Sequence, residues 1–529
     1  MAVIELGFPG GVAATGANNS VSAANTGQVS SWPSISPPPT SAERLGWFTW
    51  HGGKVQSCSD ADESEWRCLP NGEWTAAGGQ QQLLFPTLKW GASGGGGGGD
   101  PFVLFNDGNA TAGEQRAMVV GTASDDSMAS SHTLSPDGQG RVNAGLLGSI
   151  QSIPAGHIHE TLIVASADGV NAAVSAFGGA LLQRYNKTRA RPPDFTADHL
   201  SYYTDNGAFL YYRFPYPPGD PQFNGTGYSD ELLGLVATGQ REHIPFRALQ
   251  FDSWWYDKAA NGGTIRWGPT LMGGSVGTAA FHEQTGRLPV VSHNRFWAAG
   301  AARTYSGYPW AVDNQTEQEG GLDACAMPLS TAFWRDLFSN ASRTWGLHTY
   351  LQDYIDVEWL CTRQARGTVH GARTWLRQMG SGAAAAGVSI QYCGAFLQHL
   401  LQSVEIEAVR QIRVSEDYEP TRGGLRSNQW SIGTSSMLAE AVGLASFKDV
   451  FWSSSDTVPA AVSKYGWQGE VAPELQAAVA TLSTGPVAVG DPPAVLNHTL
   501  LLRTCTAAGQ ILKPSAAATT VDAVRPSFC

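Results

Sequence analysis

Eight short apolar segments recur from about residue 197 onward, and this repetition constrains the fold more than any other feature of the sequence. Stretches long enough for a helix separate the segments, which is the alternation of strand and helix that builds a parallel α/β barrel. The candidate strands begin at Leu200, Phe246, Leu288, Gly346, Val388, Ala408, Phe447 and Val487. Candidate helices lie between them, for example from Thr331 and from Ser436. The predicted fold class is therefore α/β, with a (β/α)8 TIM barrel over residues 197–495.

Most of the candidate barrel strands end in a polar or acidic residue. The residues concerned are Asp205, Asp252, His293, Asp353, Asp417, Asp449 and Asp491. A single Asp after a strand usually caps the next helix, but a polar residue after most of eight consecutive strands favours a shared purpose. Because α/β barrels keep their active sites at the carboxyl ends of the strands, we expect these side chains to converge on one rim.

Three other regions flank the predicted barrel. Residues 1–40 are rich in Gly, Ala, Ser, Asn and Pro, and we expect them to be disordered. Residues 41–196 contain short β-like runs separated by turn residues, which predicts an antiparallel β-sandwich domain. Residues 496–529 begin a C-terminal β region that we expect to be cut short or absent.

Composition excludes several kinds of partner. A net charge of −12 argues against binding to nucleic acid or to anionic membrane surfaces, and the sequence contains no transmembrane run. No group of Cys, His or acidic residues has the spacing of a zinc site. The glycine tract at 94–99 is not followed by the Lys-Ser/Thr of a phosphate-binding loop. We therefore expect no nucleic acid or membrane partner, no metal and no cofactor.

Cysteine and glycosylation patterns bear on the compartment. The seven Cys residues match no redox or zinc pattern. Cys58 and Cys68 are candidates to pair, whereas Cys361 and Cys393 are either core thiols or partners. Seven Asn-x-Ser/Thr triplets favour the secretory pathway or an extracellular location, although residues 1–10 lack the charged and apolar regions of a signal peptide.

Two strand ends and the following segment resemble one known enzyme family. Residues 413–420, Arg-Val-Ser-Glu-Asp-Tyr-Glu-Pro, resemble the Arg-x-Ser-Asp/Glu-Asp-Phe-x-Pro signature of raffinose synthases and alkaline α-galactosidases. Residues 483–498 resemble that family's Gly-Pro-Ile-Tyr-x-Ser-Asp block, and residues 500–514 resemble its continuation. The resemblance covers most of 197–520 and implies a glycoside hydrolase of the α-galactosidase and raffinose synthase (family 36-like) clan.

The resemblance also implies roles for individual residues. Asp353 matches the nucleophile at the end of the fourth strand, and Asp417 matches the acid/base at the end of the sixth. Asp252 and the aromatic pair Trp254 and Trp255 match residues that hold the sugar, although at most one Trp can face the mouth. Arg413 matches an arginine that reaches toward a sugar hydroxyl. Three further candidate substrate-binding residues rest on their position at the rim: Asp205, which alternatively forms an Asx turn, and Asp449 and Trp452, which are alternatively core residues.

The sequence departs from the family pattern at two positions. The Lys of the fourth-strand Lys-x-Asp motif is replaced in Leu351-Gln352-Asp353, and the paired acids of the second strand are Asp252-Ser253. In the family those two acids contact the 4- and 6-hydroxyls of galactose. The resemblance therefore implies that this chain acts on α-glycosidic bonds, but it does not imply a preference for galactose.

The predicted chemistry needs two carboxyl groups. Retaining glycosidases place a carboxylate nucleophile about 5–5.5 Å from a carboxylic acid that protonates the leaving oxygen. Asp356 and Glu358 compete with Asp353 for the first role, and Glu416 competes with Asp417 for the second. Asp417 has to hold its proton, which burial and the charge of Asp353 promote.

The sequence thus predicts a retaining α-glycosidase or transglycosidase with a carbohydrate substrate. Two alternatives remain open. One is a catalytically inactive relative that binds carbohydrate on the same rim, and the other is a barrel enzyme of unrelated chemistry.

Overall fold

The computed structural model describes residues 1–19, 28–37, 45–49, 71–73, 101–106, 115–134, 141–213, 227–268, 276–313, 324–415, 417–418, 432–456 and 470–519. Glu416, Cys58, Cys68 and the glycine tract lie outside these ranges. Within the described residues, no helix combines the length and apolarity needed to cross a bilayer.

Two antiparallel sheets form the N-terminal part. A six-stranded sheet has the order β1-β9-β6-β5-β3-β4, and a three-stranded sheet has the order β2-β8-β7. The strands are β1 (Ala2–Phe8), β2 (Ser34–Ile35), β3 (Leu45–Phe48), β4 (Asn71–Glu73), β5 (Phe102–Asn106), β6 (Ala117–Thr122), β7 (Ser130–Leu134), β8 (Val142–Leu146) and β9 (His157–Ser166). The predicted N-terminal antiparallel β structure is confirmed.

The expectation of disorder over residues 1–40 is wrong for the first strand. β1 pairs antiparallel with β9 from Ala2 opposite Ile163 to Phe8 opposite His157. Ile4, Leu6 and Phe8 are half-buried while the residues between them are exposed. This two-residue alternation is typical of a strand with one covered face, and amino-acid composition does not reveal it.

Eight parallel strands form one sheet in the region predicted to be the barrel, although the seventh ends at Phe447, the residue at which the predicted run begins. They are β10 (Ser201–Tyr202), β11 (Ala248–Phe251), β14 (Val290–Asn294), β17 (Leu347–Gln352), β18 (Ser389–Tyr392), β19 (Val409–Arg413), β20 (Ala445–Phe447) and β21 (Ala488–Val489). Their order is β20-β19-β18-β17-β14-β11-β10-β21. Parallel bridges from Ser446 to Thr484 and from Phe451 to Val489 join the seventh strand region to the eighth and close the barrel. The predicted TIM barrel is confirmed.

Two hairpins extend the loops that follow the second and third barrel strands. The strands of the first are β12 (Tyr256–Lys258) and β13 (Thr264–Trp267), and those of the second are β15 (Trp310–Asp313) and β16 (Cys325–Pro328). Both follow the carboxyl ends of barrel strands, so both lie on the side where barrel enzymes build their sites.

Fourteen helices lie among the described residues. They are α1 (Gly169–Arg184), α2 (Phe195–Asp198), α3 (Phe209–Arg213), α4 (Tyr228–Arg241), α5 (Thr278–Gln284), α6 (Ala299–Thr304), α7 (Thr331–Trp345), α8 (Ile355–Cys361), α9 (Arg363–Arg366), α10 (Gly371–Ala386), α11 (Leu397–Gln402), α12 (Ile432–Ala441), α13 (Pro473–Leu482) and α14 (His498–Leu501).

Local sequence signals set the ends of the helix that leads into the fourth barrel strand. Ser330 caps the start of α7 by accepting a hydrogen bond from the N–H of Ala332 over 3.1 Å. Gly346 ends α7 with a φ of +76°, a left-handed conformation that glycine adopts without strain. The chain then reverses directly into β17, which carries the residues of the candidate site at its far end.

A disulfide fixes the helix that follows the fourth strand. Cys361 at the end of α8 is bonded to Cys325 at the start of β16. Of the two possibilities open from the sequence, Cys361 is therefore a bonded partner, whereas Cys393 is a buried thiol. The bond ties the second hairpin to the segment immediately after Asp353.

Candidate active site

Asp353 lies at the carboxyl end of β17 and is held there by backbone hydrogen bonds. Its N–H donates to the carbonyl of Asn294 on the neighbouring strand over 2.8 Å. Its Oδ1 accepts the N–H of Tyr354 over 2.8 Å, where Tyr354 has a left-handed φ of +52°. The carboxylate is 19% exposed, so it remains accessible from the barrel mouth.

His293 provides the second contact to Asp353. Its Nε2 lies 3.1 Å from Oδ2 of Asp353, and its Nδ1 lies 3.0 Å from the hydroxyl of Tyr256. Both ring nitrogens of His293 are therefore engaged, one by the Tyr256 hydroxyl and the other by the carboxylate. Because His293 is itself buried, this contact holds the carboxylate in a fixed orientation.

The surroundings of Asp353 favour its ionised form. Burial acts to raise the pKa of Asp353, but the hydrogen bond and charge of His293, a hydrogen bond with Cys393 and the charge of Arg413 outweigh it. The pKa of Asp353 consequently lies well below its ordinary value. A carboxylate that stays ionised is what a nucleophile requires.

Asp417 lies beyond the end of β19 and is 51% exposed. It forms an ion pair with Arg413, and its Oδ2 accepts a hydrogen bond from Nδ2 of Asn206 over 2.6 Å. Burial and the charge of Asp353 act to raise the pKa of Asp417, but the charge and hydrogen bonds of Arg413 and Asn206 lower it below its ordinary value. These contacts favour the ionised form of Asp417, contrary to the expectation that it holds its proton.

Arg413 connects the rim to buried acids beneath it. The side chain is 4% exposed, and its Nη2 lies 3.6 Å from Oδ2 of Asp449 in addition to its contact with Asp417. Burial raises the pKa of both Asp205 and Asp449, and the charges of neighbouring acids raise it further against the opposing charge of Arg413. The positive charge of Arg413 therefore acts on three carboxyl groups, those of Asp205, Asp417 and Asp449.

Asp449 and Asp491 bind backbone rather than facing an open mouth. Asp449 is fully buried and accepts hydrogen bonds from the N–H groups of Tyr418 and Val450 over 2.7 and 2.8 Å. Asp491 is fully buried and accepts from Ser453 and Ser454 over 2.7 and 2.9 Å. These two acids support the loops of the rim.

Asp252 and Trp254 are positioned by residues of the first two barrel strands. Oδ2 of Asp252 accepts from Nε2 of Gln250 over 2.8 Å. The indole of Trp254 donates to Thr204 Oγ1 over 2.9 Å, and its ring stacks on Tyr228 with centroids 3.8 Å apart. Trp255 is 1% exposed, so Trp254 is the member of the pair left partly accessible.

Trp452 lies in the core. It is fully buried, and its indole N–H donates to the carbonyl of Gly207 over 2.9 Å. Its ring therefore packs between loops and presents no face to a sugar, which corresponds to the core alternative for this residue.

The competitors of Asp353 lie deeper in the protein. Asp356 is 1% exposed and Glu358 is fully buried, both within α8. Oε2 of Glu358 accepts from the N–H of Trp297 over 2.6 Å, and burial raises the pKa of Glu358 well above its ordinary value. The geometry favours Asp353 over both. The competitor of Asp417, Glu416, lies outside the described residues.

Sequence reasoning missed two contributors. Tyr256 follows the second barrel strand in β12 and carries no signal of its role beyond being aromatic. Asn206 follows Asp205 after the first strand, and its contact with Asp417 joins loops that follow the first and sixth strands. Neither contact is visible in a linear pattern.

The barrel mouth offers no metal site among the residues that the structure describes. Among the described residues, one group of three potential ligands has atoms close enough to share an ion. It consists of Asp126, His157 and His370, which do not belong to the barrel mouth.

Comparison with known proteins identifies the fold. No protein-family profile and no curated protein matches the sequence. A variant of the GH36 α-galactosidase AgaA from Geobacillus stearothermophilus, in complex with 1-deoxygalactonojirimycin, matches with a TM-score of 0.52 and 13% identity over 89% of this chain and 61% of that chain. The α-galactosidase from Lactobacillus brevis matches with a TM-score of 0.53 and 11% identity over 89% and 59% of the two chains. The chain has the GH36 α-galactosidase fold.

The shared fold has a limited meaning for this chain. The match covers about three-fifths of the α-galactosidases, 61% and 59% of the two chains compared. At 11–13% identity it establishes the architecture, an antiparallel N-terminal region followed by a TIM barrel, and leaves the roles of individual residues to the local geometry.

Proposed function

We propose that the protein is a retaining α-glycosidase that acts on α-linked oligosaccharides or glycoconjugates by double displacement. Asp353 is the nucleophile and Asp417 is the acid/base. The observation that carries the proposal is the His293–Asp353 contact, because it keeps a carboxylate ionised at the end of the fourth strand of an α-galactosidase-like barrel.

The first half of the reaction requires attack on the anomeric carbon. An oxygen of Asp353 forms the bond to that carbon as the bond to the leaving oxygen breaks, which yields a covalent glycosyl-enzyme. His293 and the N–H of Tyr354 hold the carboxylate in place, so little reorganisation accompanies the attack. Water or a second sugar then attacks the same carbon and releases Asp353.

Asp417 has to deliver a proton to the leaving oxygen. Arg413 and Asn206 favour its ionised form. A bound sugar that covers the half-exposed carboxyl increases its burial, which raises its pKa. Arg413 retains a second carboxylate partner in Asp449 at 3.6 Å, so its charge remains balanced when Asp417 becomes protonated.

The site lacks the two contacts by which the resembling family binds galactose, because the residues at the two departures are apolar or engaged. Leu351, at the position of the family Lys, is 1% exposed. Ser253, at the position of the second acid, is buried with its hydroxyl 3.2 Å from that of Tyr211. Variants of the galactosidase AgaA have been crystallised with raffinose and with stachyose. We propose an α-linked substrate of this general kind, with a different terminal sugar.

The low pKa of Asp417 favours a second candidate function. A protein of this fold whose acid/base stays ionised would bind carbohydrate without cleaving it. Both candidate functions predict that sugar binds at the barrel mouth. Only the glycosidase predicts turnover, so a measurement of turnover separates them.

A panel of aryl α-glycosides tests the proposal. The wild-type protein is expected to cleave at least one member with retention of configuration, and Asp353→Asn is expected to abolish that activity. Asp417→Asn is expected to slow substrates with poor leaving groups by about 10²- to 10⁴-fold while sparing those with good leaving groups. With azide, Asp353→Gly should give the glycosyl azide of inverted configuration.

The exposed acid Asp336, paired with Arg335 on the surface, provides the control, and Asp336→Asn should leave the rate unchanged. Activity that persists in both Asp353→Asn and Asp417→Asn would remove the assignment. Sugar binding without turnover in the wild type would establish the second candidate.

A further inference from the structure

A cavity of about 410 Å³ lies where the N-terminal sheet meets the barrel. Its walls include Glu5 of β1, His157 of β9 and Asp126 from the segment after β6 on one side, and His370 and Arg373 at the start of α10 on the other. None of these residues takes part in the proposed glycosidase site. The cavity therefore requires its own explanation.

Three potential metal ligands meet at this cavity. One ligand atom from each of Asp126, His157 and His370 lies within 4.8 Å of those of the other two. Nδ1 of His370 lies 2.8 Å from Oδ1 of Asp126. Ligands bonded to one ion at about 2.0–2.2 Å lie roughly 3.3–3.5 Å apart in a tetrahedral site, so small side-chain rotations suffice to close the present separations.

His157 supplies an independent observation. Its side chain is more than nine-tenths buried, with 7% exposed, and its Nε2 has no hydrogen-bond partner among the described residues. A buried polar atom without a partner is costly. The hydrogen bond between His370 and Asp126 gives those two side chains a polar partner but gives none to Nε2 of His157. An ion bound by all three residues would provide a partner for each of them.

The charges around the cavity favour a cation. Glu5, Asp125, Asp126 and Glu160 line it, against Arg184 and Arg373. Both Nε and Nη2 of Arg373 donate to Glu405 over 2.9 Å, and its Nη1 lies 4.0 Å from Asp126. Arg184 is paired with Glu160. Glu405 and Glu160 are thus the nearer partners of the two arginines, and the longer contact of Arg373 with Asp126 leaves that carboxylate able to bind a metal.

We propose that Asp126, His157 and His370 bind a divalent transition-metal ion of the zinc type, and that the ion links the N-terminal sheet to the barrel. Two imidazoles and one carboxylate suit zinc and its neighbours, whereas calcium and magnesium prefer sets of oxygen ligands. The cavity leaves room for water as the fourth ligand. The three residues are separated by 31 and 213 positions in the chain, so no spacing motif reveals them.

Calorimetric titration of the full chain with Zn²⁺, after treatment with EDTA, tests the proposal. One ion is expected to bind per chain, and its binding should raise the unfolding temperature because it favours the folded state. Mg²⁺ at the same concentration should produce neither effect. Because His370 is 52% exposed, His370→Gln should fold normally and weaken Zn²⁺ binding at least tenfold.

The control is His498→Gln, which removes an exposed histidine of α14 and should leave binding unchanged. Asp126→Asn provides a second variant, with the same loss expected as for His370→Gln. Absence of a stoichiometric Zn²⁺ site in the wild type would overturn the proposal. Equal affinity in the wild type and His370→Gln, or an equal loss in His498→Gln, would do the same.

Discussion

Nε2 of His293 contacts Oδ2 of Asp353 at 3.1 Å, and it does so from the third barrel strand while Asp353 follows the fourth. The hydroxyl of Tyr256 contacts the opposite ring nitrogen of His293 at 3.0 Å. The ionisation and the orientation of the candidate nucleophile therefore depend on a residue of the adjacent strand, which makes His293 a positioning residue.

Replacing His293 by Phe should keep the ring packing and remove the hydrogen bond to Asp353. The pKa of Asp353 should rise, so the acidic limb of the pH–rate profile should move to higher pH. Loss of a hydrogen bond to a charged group costs about 1.5–3 kcal/mol, which corresponds to a decrease in kcat/KM of roughly 10- to 150-fold. Tyr256→Phe, which leaves the His293–Asp353 contact in place, should show a smaller shift. An unmoved acidic limb in His293→Phe would contradict the assignment of this role.

Replacing Asn206 by Ala should raise the pKa of Asp417. The amide of Asn206 donates to the ionised carboxylate over 2.6 Å, and its loss makes the protonated form easier to reach. In the proposed mechanism Asp417 is the acid, so the basic limb of the kcat/KM profile should move to higher pH. The profile measured on a substrate with a poor leaving group checks this, because such a substrate depends on the proton. A shift to lower pH would show that Asp417 is not the acid.

Asp491 should make stability depend on pH. Burial raises its pKa in the folded chain from 3.8 to about 7. The folded state therefore binds this proton more tightly than the unfolded chain does, so the stabilisation is complete below about pH 4 and is lost as the pH rises to about 7. The free energy of unfolding, measured by denaturant titration, should fall by up to about 4 kcal/mol from this group across that window.

Asp491→Asn should remove that pH dependence. The amide keeps one acceptor oxygen for the N–H groups of Ser453 and Ser454, so the variant should also be less stable at low pH by about 1–3 kcal/mol. If the free energy of unfolding of the variant depends on pH as strongly as that of the wild type, other groups cause the dependence.

Removing the Cys325–Cys361 bond should destabilise the protein and disturb the site. The two Cys residues are 36 positions apart, and closing a loop of that size contributes about 2–4 kcal/mol. The double variant Cys325→Ser/Cys361→Ser should lower the free energy of unfolding by that amount. Its kcat should fall as well, because the bond holds α8 directly after Asp353. Cys505→Ser, which changes a buried thiol outside the disulfide, provides the control. An unchanged kcat would show that α8 holds its place without the bond.

The barrel strands were predictable because each is a short apolar run between helix-length stretches, and seven of the eight candidates contain a strand of the observed sheet. The seventh was predicted to begin at Phe447, whereas β20 ends there. The positions of their carboxyl ends were predictable for the same reason. The role of each residue at those ends was not predictable. Asp353 and Asp491 both follow a strand, yet one is accessible and the other is buried against backbone N–H groups.

The sequence could not anticipate the protonation of Asp417. Arg413 lies four residues earlier in the same segment, but whether its guanidinium faces Asp417, Asp449 or both depends on how the loops after strands six and seven pack. The same limit applies to His157 and His370, because the β-domain and the barrel bring them together from distant parts of the chain.

The pairing of β1 with β9 has a practical consequence for anyone who prepares the protein. A shortened version beginning at residue 41, as composition alone would recommend, lacks the strand that covers one side of the ten-residue β9. The exposed main-chain donors and acceptors would then be open to strands from other molecules. Such a version should self-associate, and purification handles are better attached where they leave residues 2–8 in register.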